Sequence, residues 1–173
     1  MLKLDIPEKS VQGEPWRWTW VSELALKNGW TRGAELGVKR GHFSCYLVDH
    51  VPGLSMVAVD LWGQEGNSPQ YARYRHEANY RRVIERTSGR PIKVLRMSTH
   101  EASEAISDRS LDFAFIDASH EYEAVKQDIE DWSPKVRSML IGHDYSFLGV
   151  RQAVDERFKD VITGPDQCWA VSV

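Results

Sequence analysis

Cysteine is scarce in this chain of 173 residues, which contains only Cys45 and Cys168. The two cysteines lie far apart and lack the paired spacing of a zinc site, and one possible bridge does not make a disulfide framework. A small secreted domain held together by disulfides is therefore excluded, and a reducing compartment fits the sequence. We expect the protein to remain in the cytoplasm.

Long apolar runs and an excess of positive charge are also missing. No uninterrupted apolar stretch approaches the ~20 residues of a membrane span, and the first residues, which include Asp5, Glu8 and Lys9, lack the apolar core of a signal peptide. The formal net charge is -3, so no broad positive field marks a surface for nucleic acid. We therefore expect no membrane and no nucleic-acid partner, and favour a small-molecule ligand.

The composition that remains is typical of one folded domain. Hydrophobic residues make up 42% and charged residues 27% of the chain, which excludes wholesale disorder. We expect residues 1–173 to form a single domain, in which residues 1–30 are an N-terminal helical segment packed on the body. A homo-oligomer and a monomer are the two alternatives for the assembly of the chain.

Strand and helix patterns alternate along the chain. Predicted strands cover residues 33–38, 54–60, 92–95, 111–116, 139–142, 160–163 and 168–173. Predicted helices cover residues 16–28, 41–48, 71–87, 99–107, 121–132 and 150–158. This alternation predicts an α/β fold with a doubly wound, mostly parallel sheet and helices on both faces. The last two strands have no helix between them, so we expect an antiparallel hairpin at one sheet edge.

Polar residues recur where the predicted strands end. In chain order these residues are Glu35 with Gly37, Asp60, Met97 with Ser98, Asp117 to His120, and His143 with Asp144. An unpaired buried charge is costly, so carboxylates are poor choices for plain packing. Ligands of such sheets bind beyond the carboxyl ends of the strands. The pattern therefore predicts one shared polar site at this edge.

The loop after the first strand is bracketed by Gly37 and Gly41. Glycine allows a tight turn and a close approach of the backbone to a ligand, and the helix that begins near Gly41 directs amide donors toward it. Asp60 is placed to accept the hydroxyls of a ribose, and Trp62 to line the adenosine or acceptor pocket. A plain connecting turn and a capping role for Asp60 are the alternative interpretations.

The stretch Glu-Leu-Gly-Val-Lys-Arg-Gly at 35–41 resembles motif I of class I S-adenosylmethionine-dependent methyltransferases. Asp60 falls where that family has its ribose-binding acidic residue, and the closing hairpin resembles the family's antiparallel seventh strand beside the fifth. The resemblance covers residues 33–173. It implies a Rossmann-like, seven-stranded fold with S-adenosylmethionine as cofactor. Together with the positions at the strand ends, it predicts that the cofactor-binding residues are Glu35, Gly37, Gly41, Asp60, Trp62, Ser98 and Asp117.

A narrower resemblance rests on Ile-Asp-Ala-Ser-His at 116–120 and His-Asp at 143–144. These stretches are similar to the signature of a subgroup that includes metal-dependent O-methyltransferases of macrolide sugars. The resemblance implies that His120 is the general base and that a divalent metal takes part. The residue chemistry predicts Asp117 and Asp144 as ligands of Mg²⁺ or Mn²⁺, with His143 as a further ligand. The residue chemistry agrees, because carboxylates suit Mg²⁺ and histidine exchanges protons near neutral pH.

Several interpretations stay open. His120 can cap the following helix instead of acting as a base, and an imidazole suits Mg²⁺ less well than Mn²⁺. A nicotinamide-dependent oxidoreductase would explain the glycine loop but not the later cluster, and an inactive nucleoside-binding module would bind without turnover. The stretch 137–139 replaces a glycine pair usual in the subgroup, so we expect an altered turn before the fifth strand.

Overall fold

The computed structural model describes residues 16–63 and 76–173. The strands of this part are β1 (Arg32–Leu36), β2 (Ser55–Asp60), β3 (Ile92–Arg96), β4 (Leu111–Ile116), β5 (Val136–Gly142), β6 (Ile162–Thr163) and β7 (Trp169–Ser172). The helices are α1 (Trp16–Asn28), α2 (His42–His50), α3 (His76–Thr87), α4 (Thr99–Glu104), α5 (Tyr122–Trp132) and α6 (Leu148–Arg157), and a short 3₁₀ turn covers Ser133–Lys135.

The strands form one seven-stranded sheet in the order β3-β2-β1-β4-β5-β7-β6. Strands β1 to β5 pair in parallel, while β7 is antiparallel to both β5 and β6. The predicted α/β fold with an antiparallel closing hairpin is therefore confirmed. The strand order reverses between β1 and β4, where Leu36 lies opposite Ile116. Ligands of doubly wound sheets bind at such a reversal.

The core lies on both faces of the sheet, and β4 shows this best because all its residues are buried. Phe113 and Phe115 face the layer formed by α1 and α2, where they pack with Trp20, Phe43 and Leu47. Ala114 and Ile116 face the opposite layer, where they pack with Ile129, Trp132, Val150 and Val154. A parallel strand covered on both faces reads as a continuous apolar run. This packing fixes the carboxyl end of β4 in the middle of the molecule.

The expected turn at residues 137–139 is wrong, because β5 already begins at Val136. Arg137 is held inside the strand by its Nε, which donates to Asp112 Oδ1 at 2.6 Å. Asp112 Oδ2 also accepts two backbone N–H groups of the chain entering β1, at 2.7 and 2.9 Å. Burial raises the pKa of Asp112, but these hydrogen bonds bring it below its usual value. The ion pair thus extends β5 by three residues beyond the predicted strand.

Other boundaries differ by a few residues. Strand β1 ends before residue 37, α4 ends before the predicted residue 107, and α6 begins earlier than residue 150. The helix predicted at 71–87 is present as α3, and its first five predicted positions lie outside the described residues. Within residues 16–63 and 76–173, no helix combines the length and apolarity that crossing a bilayer requires.

Candidate active site

The loop after β1, residues 37–41, is held against the end of β4 by Gly37. Its φ is +90°, and its N–H donates to the carbonyl oxygen of Val59 at 2.9 Å. A Cβ at this position would overlap the carbonyl oxygen of Asp117. Only glycine fits this close approach. The loop and the residue that follows β4 are therefore in direct contact, which joins the two halves of the predicted site.

Glu35 of β1 connects the strand to the helix that follows this loop. Its side chain is 4% exposed, and Oε2 accepts both the Ser44 hydroxyl and the Ser44 backbone N–H, the latter at 3.1 Å. Gly41 has no side chain to cap α2, so Glu35 satisfies an amide of the first helical turn from the neighbouring strand. Burial raises the pKa of Glu35 to about 8, with added repulsion from Asp117 and Asp60 and a partial offset by Ser44. The carboxyl group is therefore mainly protonated at neutral pH.

Asp60 closes the loop from the side of β2. Its Oδ2 accepts the backbone N–H groups of Val38 and Lys39 at 3.0 and 2.8 Å, and its Oδ1 accepts that of Trp62 at 2.9 Å. A carboxylate has about four lone-pair positions. These three amides leave one position for a further donor. The structure thus places Asp60 at the predicted site, and its contact with a ribose stays a prediction.

Trp62 is packed under the loop. Its side chain is 2% exposed, its Nε1 donates to the carbonyl oxygen of Lys39 at 3.1 Å, and its ring centroid lies 5.2 Å from that of Tyr80. The indole therefore packs against the loop at residues 37–41 and is almost completely buried. Its predicted role in lining a ligand pocket stays a prediction.

Ser98 lies at the end of β3 and caps α4. Its hydroxyl accepts the Glu101 N–H at 3.1 Å, and Glu101 Oε2 accepts the Ser98 hydroxyl and N–H at 2.7 and 3.0 Å. This reciprocal capping box follows from the Ser-x-x-Glu spacing in the sequence. The hydroxyl of Ser98 already has structural partners, and a cofactor contact there stays a prediction.

The second half of the site lies where β4 and β5 end side by side. Ile116 and Gly142 are partners in the sheet register, and the N–H of His143 donates to the carbonyl oxygen of Ile116 at 3.1 Å. The next residues therefore face each other. His143 Nδ1 lies 3.6 Å from Asp117 Oδ1 and 3.1 Å from Asp144 Oδ2. Burial lowers the pKa of His143, but the two carboxylates raise it above the ordinary value overall.

His120 reaches the same cluster from the loop after β4. Its Nε2 lies 2.7 Å from Asp144 Oδ2, and its side chain is 42% exposed compared with 16% for Asp144. Asp144 adopts a φ of +59°, which is uncommon for a residue other than glycine. The sequence analysis placed both residues in one site, and the structure brings them into direct contact.

Three residues of the cluster could together hold a small cation. Asp117, His120 and Asp144 each offer one ligand atom, and these atoms all lie within 4.8 Å of one another. Two carboxylates and an imidazole form a donor set that suits Mg²⁺ or Mn²⁺. His143, the histidine predicted as a metal ligand, is not part of this group of three, although its Nδ1 lies 3.1 Å from Asp144 Oδ2. The residues present therefore fit a divalent cation.

A family model described as a methyltransferase domain matches residues 34–145, which include both halves of this site. The chain belongs to this methyltransferase-domain family. A curated relative, the uncharacterized protein y4gI of Sinorhizobium fredii, is 35% identical over 91 residues. That match covers 50% of the methyltransferase chain and only 10% of the relative's length.

Solved structures share the fold of this methyltransferase domain. An O-methyltransferase from Bacillus cereus, in complex with SAH, aligns with a TM-score of 0.59 at 18% identity, covering 97% of this chain and 84% of that chain. CalS11, a TDP-rhamnose 3'-O-methyltransferase of calicheamicin biosynthesis, aligns with a TM-score of 0.58 at 12% identity, covering 88% and 75%. At these identities the likeness shows the fold alone.

Three residues near the site of this methyltransferase domain escaped the sequence analysis. Phe147 places its ring centroid 4.6 Å from that of His120. Gly149 leaves no room for a Cβ, which would lie 2.5 Å from the carbonyl oxygen of His120. Arg17 of α1 pairs with Asp166 at 2.8 Å, in the turn between β6 and β7. Of these three residues, only Gly149 had a signal in the sequence, because a glycine next to a predicted helix start indicates close backbone packing.

Proposed function

We propose that the protein is an S-adenosylmethionine-dependent O-methyltransferase that acts on a hydroxyl of a small molecule such as a sugar or natural product, assisted by a divalent cation. The observation that carries this proposal is the cluster of Asp117, His120 and Asp144 directly across from the loop after β1. Membership of the methyltransferase-domain family gives the reaction class. The SAH complex of the B. cereus enzyme supports S-adenosylmethionine as the methyl donor, and the sugar substrate named for CalS11 supports a sugar hydroxyl as the acceptor.

The methyl donor would lie along the carboxyl ends of β1 and β2. The remaining acceptor position of Asp60 suits a ribose hydroxyl, while the bend at Gly41 and the first turn of α2 suit a polar group at the other end. Glu35 supports this loop from beneath through Ser44. When bound, S-adenosylmethionine supplies a sulfonium methyl group that is open to in-line displacement by an oxygen.

His120 is the group that takes the proton of the acceptor hydroxyl in this proposal. Its Nε2 faces the carboxylate of Asp144 at 2.7 Å, so the tautomer with hydrogen on Nε2 is favoured. That tautomer leaves the lone pair of Nδ1 free to accept a proton as the new carbon–oxygen bond forms. Asp144 thereby orients the base, as the third member of a nucleophile–base arrangement does in other enzymes.

The divalent cation would be held by the oxygens of Asp117 and Asp144, with an imidazole of His143 or His120 beside them. When bound, it would lower the pKa of a hydroxyl placed against it. With Nε2 directed at Asp144 and Nδ1 assigned to the acceptor proton, His120 has no nitrogen left for the cation. Its exposed side chain and the additional imidazole of His143 favour the division into base and ligand that the sequence analysis predicted.

Family membership argues against the alternative of a nicotinamide-dependent oxidoreductase. A domain that binds the nucleoside without turnover remains the competing hypothesis, and an activity measurement separates the two. The absence of a nucleic-acid partner, the cytoplasmic location and a homo-oligomeric state remain predictions.

The test begins with calorimetry of S-adenosylmethionine and S-adenosylhomocysteine binding to the whole chain. Asp60→Asn should weaken binding, and native protein should gain about 2.7 kcal/mol of stability at a ligand concentration near 100 times its dissociation constant. Failure to bind at millimolar ligand would contradict the assignment of the methyl donor. His120→Ala should then reduce formation of S-adenosylhomocysteine by about 10²–10⁴-fold with little change in donor affinity.

His100→Ala is the matched control, because His100 also pairs with an aspartate, Asp131 at 2.8 Å, but lies on the surface at α4. It should leave turnover unchanged. Asp144→Ala should remove the dependence on Mg²⁺ or Mn²⁺ and keep donor binding, and Asp117→Ala should remove the same dependence. Activity that is indifferent to a chelator would contradict the role of the cation.

A further inference from the structure

Two large apolar side chains lie exposed at the beginning of α6, beside the proposed base. Phe147 is 48% exposed and Leu148 is 79% exposed. The ring of Phe147 lies against His120, with centroids 4.6 Å apart and planes inclined by 33°. Its backbone N–H donates to the carbonyl oxygen of Asp144 at 2.9 Å. The exposed ring is therefore attached to the same turn that carries a carboxylate of the site.

This placement is not explained by packing of the core. Burying an aromatic side chain stabilises a fold, whereas leaving half of it in water gains little. The turn is nevertheless held firmly, because Gly149 packs against the backbone of His120 and Tyr122 with no room for a Cβ. An aromatic ring that contacts a polar cluster at His120 and is half exposed to solvent is suited to contact a ligand.

We propose that Phe147 determines acceptor specificity, by receiving the apolar face of a ring-shaped acceptor whose hydroxyl then lies at His120. This inference rests on the proposed function and adds the class of acceptor to it: a ring with neighbouring hydroxyls on one edge and an apolar face. The hydroxyl edge fits the polar cluster formed by Asp117, His120 and Asp144. The apolar face fits the exposed side of the Phe147 ring.

Two kinds of molecule have this shared chemistry, and two probes represent them. Methyl α-L-rhamnopyranoside has neighbouring hydroxyls and an apolar C–H face, and catechol has neighbouring hydroxyls on an aromatic ring. Each probe is added separately to the whole chain with S-adenosylhomocysteine and Mg²⁺. Saturation-transfer NMR then measures which protons of the probe lie against the protein and how tightly the probe binds.

We expect Phe147→Ala to weaken binding of one probe about five- to tenfold and to reduce saturation transfer to its apolar face. Phe147→Tyr keeps a flat ring and should restore both. The loss of saturation transfer at the apolar face separates direct contact from a structural role, because a ring that only supported His120 would not change which protons of the probe lie against the protein. The probe that responds identifies the kind of acceptor. Ile162→Ala is the control, because Ile162 is 49% exposed at the sheet edge and should have no effect.

Equal binding by the native protein and Phe147→Ala would overturn the inference. So would the absence of binding of both probes to native protein that binds S-adenosylhomocysteine normally. If the native protein does not bind S-adenosylhomocysteine, the proposed function itself fails and the inference falls with it. Calorimetry of that ligand before each NMR series keeps the two failures distinguishable.

Discussion

Replacing Glu35 by glutamine should make the stability of the protein less sensitive to pH. The carboxyl group is buried, and both hydrogen bonds from Ser44 end on the same oxygen, Oε2. A protonated carboxyl therefore carries its hydrogen on the other oxygen. Glutamine has the same shape, keeps a carbonyl oxygen for Ser44 and replaces the O–H by an N–H. Glu35→Gln thus reproduces the neutral form of the native side chain and cannot ionise.

The magnitude follows from the raised pKa. Burial moves the pKa of Glu35 from 4.5 to about 8. Between these values the unfolded chain has released the proton while the folded chain keeps it, so the folded state binds more protons and stability falls as pH rises. Each pH unit corresponds to about 1.4 kcal/mol. From pH 4.5 to pH 7 the native protein should therefore lose up to about 3 kcal/mol through this group.

Urea unfolding at pH 5, 6, 7 and 8 measures this loss. We expect the free energy of unfolding of Glu35→Gln to approach that of the native protein at pH 5 and to exceed it increasingly toward pH 8. The exposed Glu85 provides the control, and Glu85→Gln should follow the native curve. Parallel curves for the native protein and Glu35→Gln would refute the reasoning, because they would mean that Glu35 ionises equally in both states.

Three other substitutions test the packing described above. Burial raises the pKa of Asp128 to about 6, although the Thr99 hydroxyl donates to this carboxylate. The native protein should therefore lose about 2–3 kcal/mol of unfolding free energy between pH 4 and 6, and Asp128→Asn should not show this loss in urea unfolding. An unchanged pH profile would contradict this. Gly149→Ala should lower the thermal stability by about 1–3 kcal/mol and reduce formation of S-adenosylhomocysteine, because the new methyl group separates α6 from the His120 loop. Gly142→Ala should destabilise by a similar amount and change the tryptophan fluorescence, because its Cβ would overlap the Trp169 ring; native fluorescence and stability would show that β5 and β7 can move apart freely.

Most of the fold could be predicted because it depends on local patterns. The continuous apolar run of β4 and the alternation of strands with helices require only neighbouring residues to be recognised. The predicted ends of strands and helices were wrong where a residue distant in sequence determines them. Arg137 extends β5 because Asp112 lies beside it on the adjacent strand, and neither residue alone signals a strand.

In the candidate site, too, residues marked by local patterns could be predicted, and contacts that depend on tertiary packing could not. Glu35, Asp60 and Asp117 could be located because each lies where a predicted strand ends. The 2.7 Å contact between His120 and Asp144 depends on the register of β4 against β5 and on the packing of α6, which the sequence pattern does not contain. The ring of Phe147 has no local signature, since an exposed aromatic in a loop looks like any other.

The position of β7 between β5 and β6 also has a consequence for biosynthesis. Within the described residues, β6 pairs with β7 alone, yet β6 leaves the ribosome first. Strand β6 therefore cannot join the sheet before β7 has emerged, and the flank of β5 stays open until then. The late arrival of β7 buries Trp169 over Gly142. A nascent chain stalled before residue 169 should therefore expose an unpaired β5 edge to chaperones.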